Sequence, residues 1–281
     1  MVSWYNEHMK NKTDKTKTIT KRIIKQIIAC LIAVTLACLL PACQQKAHKT
    51  FPLRIAVIDT GFSVDAIPEE NILEGHNYVD AEASTEDTFG HGTAVASILL
   101  AEYPDAKLVP LVSSAYEDGH LTQVTEEVVV QMIRDAVDMY DCSLINVSAG
   151  LQNAGTELEE AVAYAWKKGV LIIASAGNDY AEQGERKYYP AAYEHVFAVG
   201  ALNADGTQIA EFSQRGDWVN GYEIGENVSF AALSGAEMTG DGTSYAAARV
   251  TAEAAKLLEA HPEESIGEIV RRLEEQISSQ K

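Results

Sequence analysis

Cysteine is scarce in this 281-residue chain: there are four, and only Cys142 follows Cys43. The region beyond Cys43 therefore has no intrachain disulfide to form, and no cysteine–histidine spacing of a zinc site is readable. A long apolar run is missing too. The segment IIACLIAVTLACLLPAC at 27–43 offers about 16 residues before its last cysteine, short of the roughly 20 that a membrane-spanning helix requires. Basic charge is thin in the second part of the chain. Seven of the 22 basic residues and two of the 41 acidic ones precede Cys43, which leaves the remainder at a formal −24. Such a field argues against nucleic acid as a partner and keeps the remainder off anionic lipid except through a tether. Internal repeats and low-complexity breaks are also absent, so nothing splits the remainder into two domains. The 47% hydrophobic content of the full chain is ample for one core.

The N-terminus reads as a targeting segment. Lys10, Lys12, Lys15, Lys17, Lys21, Arg22 and Lys25 precede the apolar run, the arrangement of a secretory signal. The run ends Leu40-Pro41-Ala42-Cys43, which resembles the lipobox of bacterial lipoproteins, where the cysteine is lipidated and becomes the mature N-terminus. Ile27-Ile28-Ala29-Cys30 fits the same pattern but lies too early in the run. This divides the chain into a signal peptide at 1–42, a short polar tether at 43–52 and a single domain at 53–281. An uncleaved signal anchor is the alternative. Either way the domain is exported and held at the outer face of a bacterial membrane.

From residue 53 strands and helices alternate. LRIAVID (53–59), KLVPLV (107–112), SLINVS (143–148), GVLIIASA (169–176) and HVFAVGA (195–201) are continuous apolar runs, as expected of strands covered on both faces. Between them, Val129, Met132, Ile133 and Ala136 repeat at helical spacing behind a Thr125 cap. Thr156 and Glu159 have capping-box spacing, with Gly169 placed to end that helix. Ser265 and Glu268 repeat the box before a stripe of Ile266, Ile269, Val270, Leu273 and Ile277. The pattern predicts an α/β fold: a doubly wound, mostly parallel sheet flanked by helices in three layers. Ligands gather at the carboxyl ends of such strands.

Four short stretches fall at that rim: Asp59 in AVIDTG, His91 in FGHGTAVASILL, Asn178 in IIASAGND and Ser244 in GTSYAAARV. Each alone has an ordinary explanation. Asp-Thr-Gly also occurs in aspartic proteases, Gly-His-Gly-Thr fits a turn and a helix start, and Gly-Thr-Ser fits tight packing. Together they supply an acid, an imidazole, a carboxamide and an alcohol, each beside glycine at the end of a regular element. Asp, His and Ser come in the chain order of the subtilisin triad.

On these residues the chain resembles the subtilisin-type serine proteases of the subtilase family, over roughly 53–260. LINVSAG (144–150), YYPAAYEHVFAVGA (188–201) and IAEFSQRG (209–216) are similar to supporting stretches of that family. The resemblance implies Ser244 as nucleophile, His91 as general base, Asp59 as its orienting anion and Asn178 in the oxyanion hole. It implies an extended peptide or protein substrate along Ser148, Ala149 and Gly150, with a first side-chain pocket walled near 174–177. The chemistry requires no cofactor and no metal, structural calcium is left open, and a monomer is expected.

Elementary chemistry assigns the same roles. A serine hydroxyl is a poor nucleophile until a base takes its proton. A helix N-terminus disfavours imidazolium, so the position of His91 is expected to keep its ring neutral at rest. Gly242 is expected to allow a tight turn before Ser244, and Ala246, Ala247 and Ala248 to let the helix pack closely. Tyr245 and Ala248 stand where the family often has methionine and proline. Only residues 44–52 separate Cys43 from the first strand, so the folding-assisting prosegment usual in secreted members is not evident. Two other readings follow: a catalytically silent subtilase-fold binding lipoprotein, and an aspartic-protease role for Asp59, which requires an all-β pattern.

Overall fold

The computed structural model describes residues 52–117, 120–122 and 124–278. The expected signal peptide at 1–42, Cys43 and the expected tether up to residue 51 lie outside the described residues. The apolar runs form strands. β1 (Arg54–Asp59) lies centrally in a seven-stranded sheet with β2 (His76–Asn77), β3 (Lys107–Val112), β6 (Leu144–Val147), β7 (Leu171–Ser175), β8 (Val196–Leu202) and β9 (Gly221–Ile224). The order is β2-β3-β1-β6-β7-β8-β9, and every pair is parallel. Two antiparallel hairpins stand apart: β4 (Tyr116–Glu117) with β5 (His120–Leu121), and β10 (Val228–Ala231) with β11 (Glu237–Gly240).

Both faces of the sheet are covered, which is why its strands carry little polar alternation. Ile55 and Val57 of β1, Leu171 and Ile173 of β7, and Phe197 and Val199 of β8 point into one core. Helices α1 (His91–Glu102), α5 (Thr243–Ala260) and α6 (Ile266–Ser278) close that core. Ala56 and Ile58, Ile172 and Ala174, and Val196 and Ala198 point into the other, under α2 (Glu126–Asp138) and α3 (Thr156–Lys167). A one-turn α4 (Tyr180–Gln183) follows β7. The result is the expected three-layer α/β architecture. It is not the all-β framework that an aspartic-protease role for Asp59 requires.

The connections from β1 and β6 leave in opposite directions, one toward β3 and the other toward β7. Outside their carboxyl ends lies the switch point at which open α/β sheets leave a crevice. Asp59 ends β1, and Ser148–Gly150 follow β6.

The helix starts are partly as expected. Ser265 and Glu268 form a reciprocal box: the Ser265 N–H donates to Glu268 Oε2 at 2.8 Å, and the Glu268 N–H donates to Ser265 Oγ at 3.4 Å. Thr125 occupies the cap position of α2. The Thr156–Glu159 box does not form, because Gly155 is the cap and Thr156 already lies in the first turn of α3. The cap comes from the neighbouring helix instead. The Glu126 carboxylate accepts the Gly155 N–H at 2.8 Å and the Leu158 N–H at 3.3 Å. An anion there satisfies orphan donors and the positive end of the helix together. Losing a side-chain cap costs about 1 kcal/mol. Glu126→Ala is therefore expected to lower stability by about that amount in urea denaturation, and an unchanged midpoint would show that the trans cap contributes nothing.

Candidate active site

Asp59 stands at the carboxyl edge of β1, where the strand ends in a tight succession of polar residues. The Ser113 N–H donates to its carbonyl at 2.8 Å. Its carboxylate is buried, at 4% exposure for the residue, and accepts the Thr60 N–H at 2.8 Å. The other partner is His91, the first residue of α1, whose Nδ1 lies 2.8 Å from Oδ1 and 3.0 Å from Oδ2. Two features bring α1 this close. At Gly92 a Cβ would stand 2.3 Å from the Gly61 carbonyl oxygen, so the helix start presses against the turn after β1 only because that position lacks a side chain. Its N–H donates to Thr60 Oγ1 at 2.9 Å.

The second feature is Asp87, which sequence reasoning missed. This buried carboxylate accepts the N–H groups of Phe89 and Gly90 through Oδ1, and the N–H and hydroxyl of Thr93 through Oδ2, all within 2.9 Å. It caps α1 from three residues before the cap position and fixes the loop leading into His91. Its signal in the sequence is an aspartate shortly before a Gly-His helix start.

Ser244 is the second residue of α5, and its Oγ lies 2.9 Å from His91 Nε2. Residues 59, 91 and 244 thus form a continuous hydrogen-bonded line. Gly242 is extended, at φ 169°, and makes no left-handed turn; the expected reason for a glycine there is corrected. What it supplies is space, since a Cβ would stand 3.2 Å from Ser244 Oγ. The alanines behave as expected: Ala246, Ala247 and Ala248 are fully buried against the sheet. Thr251 of the same helix donates to Asn146 Oδ1 of β6 at 2.9 Å, a buried link between helix and sheet. Tyr245 stacks on His91, with ring centroids 5.9 Å apart, and packs on Phe230 at 5.2 Å.

Asn178 follows β7 with its carboxamide fixed. Its Oδ1 accepts the Thr243 N–H at 2.9 Å and the Thr243 hydroxyl at 2.8 Å. The donor end, Nδ2, lies 3.9 Å from the place where a Cβ on Gly242 would stand, on the approach to Ser244.

Beside this line runs a cleft of about 730 Å³, with Asp59, His91, Ser148, Ala149, Gly150 and Tyr188 in its walls. Its rim is apolar: Phe89 is 44% and Leu121 39% exposed, and Phe89 stacks on Tyr116 at 5.4 Å. Beyond this lining, Ala174 and Ala176 are buried, and Gly177 faces the Tyr188 ring, with a Cβ placed there standing 2.8 Å from Cδ2.

The titration of His91 also departs from expectation. Burial pushes its pKa down, yet the charge and hydrogen bond of Asp59, with the charge of Asp87 behind them, outweigh burial and hold it above the ordinary 6.5. Two carboxylates prevail over burial. Among the described residues, His261, Glu263 and Glu264 bring potential metal-ligand atoms within 4.8 Å of one another. They lie at the end of α5 remote from Ser244, and Glu264 is already held by Arg272 through contacts of 2.6 and 2.7 Å. No helix among the described residues is long and apolar enough to cross a membrane.

A family model described as Subtilase family matches residues 53–277. The minor extracellular protease Epr of Bacillus subtilis is 32% identical over 76% of this chain, and the match spans only 33% of Epr. The major intracellular serine protease of the same organism is 32% identical over 80% of this chain and 74% of its own. A solved cold-adapted subtilisin-like serine proteinase shares the fold, with a TM-score of 0.68 over 81% of this chain and 87% of its own, at 23% identity. Fold and sequence agree over the whole sheet and its rim, and the chain belongs to the subtilase family.

Proposed function

We propose that this protein is a serine endopeptidase that hydrolyses peptide bonds through an acyl-enzyme. The observation carrying this reading is the unbroken contact from Asp59 through both nitrogens of His91 to Ser244 Oγ, with 2.8 Å on one side and 2.9 Å on the other. Ser244 Oγ attacks the scissile carbonyl as its proton passes to His91 Nε2. The oxyanion of the tetrahedral intermediate takes hydrogen bonds from Asn178 Nδ2 and the Ser244 N–H. His91 then gives the proton to the leaving amine as the C–N bond breaks. Water enters, loses its proton to His91 and attacks the acyl carbon, and Ser244 recovers its proton as the acid leaves. Asp59 holds the ring and offsets the imidazolium charge in both halves. No cofactor is needed for these steps. The substrate is a peptide or protein lying extended along Ser148–Gly150, in the manner of an added strand. The domain acts as a monomer outside the cell, tethered by lipid on Cys43.

Purified full chain is expected to label with a fluorophosphonate at Ser244, and Ser244→Ala to remain unlabelled. A folded parent that fails to label would falsify the peptidase reading and favour a binding lipoprotein. Asn178→Ala keeps all three members of the line, and its kcat is expected to fall by about 10²–10³-fold; loss of a few-fold only would remove Asn178 from the oxyanion hole.

The pH dependence has a definite sign. His91 must be neutral to take a proton, and its pKa is raised, so kcat/KM falls on the acid side at a pH above 6.5. Asp59→Asn removes the dominant anion. It is expected to move that limb to lower pH and to cut kcat by about 10⁴; a limb that stays in place would show that Asp59 does not set it. In cells producing the full chain, the parent is expected in the membrane fraction and Cys43→Ser in the soluble fraction. A parent found soluble would overturn the lipid tether.

A further inference from the structure

A peptide lying along Ser148–Gly150, with its scissile carbonyl between Ser244 and Asn178, directs the side chain before that carbonyl into the gap between residues 148–150 and 177–179. That gap holds the ring of Tyr188. A Cβ placed on Gly150 would stand 3.3 Å from Tyr188 Cδ1, and one placed on Gly177 would stand 2.8 Å from Cδ2 and 2.9 Å from Cε2. The ring therefore reaches both walls, and both walls are glycine.

The ring is anchored at its far end and along its backbone. Its hydroxyl donates to Asp179 Oδ2 at 2.5 Å and accepts from Gln152 Nε2 at 3.3 Å. Asp179 is itself held, accepting the Gln214 Nε2 donor at 2.8 Å. Next to the ring, Leu151 and Tyr189 exchange backbone hydrogen bonds of 2.9 Å in each direction, so the segment that carries the ring is tied to the one that follows the 148–150 wall. Burial and the neighbouring Asp179 push the phenol pKa up, so the hydroxyl remains a donor through neutral pH.

We infer that Tyr188 is a fixed plug in the first side-chain pocket, and that the enzyme cleaves after residues with very small side chains, glycine and alanine foremost. The inference rests on the peptidase reading of Ser244. It names the residue that sets the substrate class. A plug of this kind discriminates by volume, and a leucine or phenylalanine side chain cannot enter without displacing an aromatic side chain held at its tip.

The test is a peptide series identical except at the residue before the cleaved bond, with competent sites counted by fluorophosphonate titration. The parent is expected to show kcat/KM at least about tenfold higher after alanine or glycine than after leucine or phenylalanine. Tyr188→Gly, normalised to titrated sites, is expected to gain at least about tenfold on the leucine and phenylalanine peptides. Tyr188→Phe keeps the ring and is expected to keep the preference for small residues. A parent that labels yet cleaves after phenylalanine as fast as after alanine overturns the plug, because the ring then swings aside. So does a Tyr188→Gly variant that labels but still rejects large residues. A parent that neither labels nor cleaves overturns the peptidase reading, and the plug falls with it.

Discussion

A carboxylate withdrawn from water costs several kcal/mol unless charge and hydrogen bonds replace its hydration. Asp59, at the edge of the central strand, is in that position, and its compensation consists of the Thr60 N–H and the His91 ring. Much of the surrounding structure can be understood as what it takes to deliver that ring. Gly92 lets α1 approach the turn after β1 until no side chain fits between them. Asp87 gathers four donors from the loop and first turn before the ring can be placed. A second buried carboxylate thus holds the segment that satisfies the first, and both raise the proton affinity of the imidazole between helix and strand.

The alcohol reaches the same ring from α5, which packs beside α1 on one face of the sheet. α5 runs under β6, β7, β8 and β9 with alanines at its sheet-facing positions, so helix and sheet sit closer than leucines would permit. Thr251 ties it to Asn146 of β6 within the core. A buried side-chain hydrogen bond of this kind fixes the helix against rotation and sliding, which bulk apolar contact leaves softer. Near-attack distances tolerate errors of well under 1 Å. The contact of 2.9 Å between His91 and Ser244 depends on two separate anchors, Asp87 in the loop before one helix and Thr251 on the other helix.

The sequence was most informative where one residue's environment is set by its own neighbours. Asp59, His91 and Ser244 each sit at the end of a regular element beside small residues, and the strand runs at 107–112 and 195–201 fall within one residue of the structural strands. Legibility ended where a partner comes from elsewhere in the chain. Thr156 and Glu159 have the right spacing, but Glu126 from another helix takes the cap. The titration of His91 depends on Asp87 and Asp59 together, which local dipole reasoning does not weigh. Tyr188 lay in a stretch noted for its general likeness, and only folding places its ring between Gly150 and Gly177, 38 and 11 residues earlier in the chain. Even Gly242 was recognised for the wrong property, since conformational freedom and empty volume leave the same letter in a sequence.

The plug has an energetic consequence for the rest of the cleft. Burying a large apolar side chain contributes about 1.5–3 kcal/mol, and a first pocket limited to a methyl group forgoes most of that. Binding energy remote from the reacting bond supports catalysis only if it is available somewhere along the extended substrate. In this chain the cleft that Tyr188 lines also has exposed apolar surface at its rim, where Phe89 and Leu121 stand and Tyr116 stacks on Phe89. The acidic formal charge beyond Cys43 does not gather a small neutral residue, so attraction near the first position is weak and shape decides there. Selection by exclusion at one position and attraction at the rim distinguishes substrates by a pattern of residues, and a rigid tyrosine held at its hydroxyl can enforce the first half of that pattern without any conformational step.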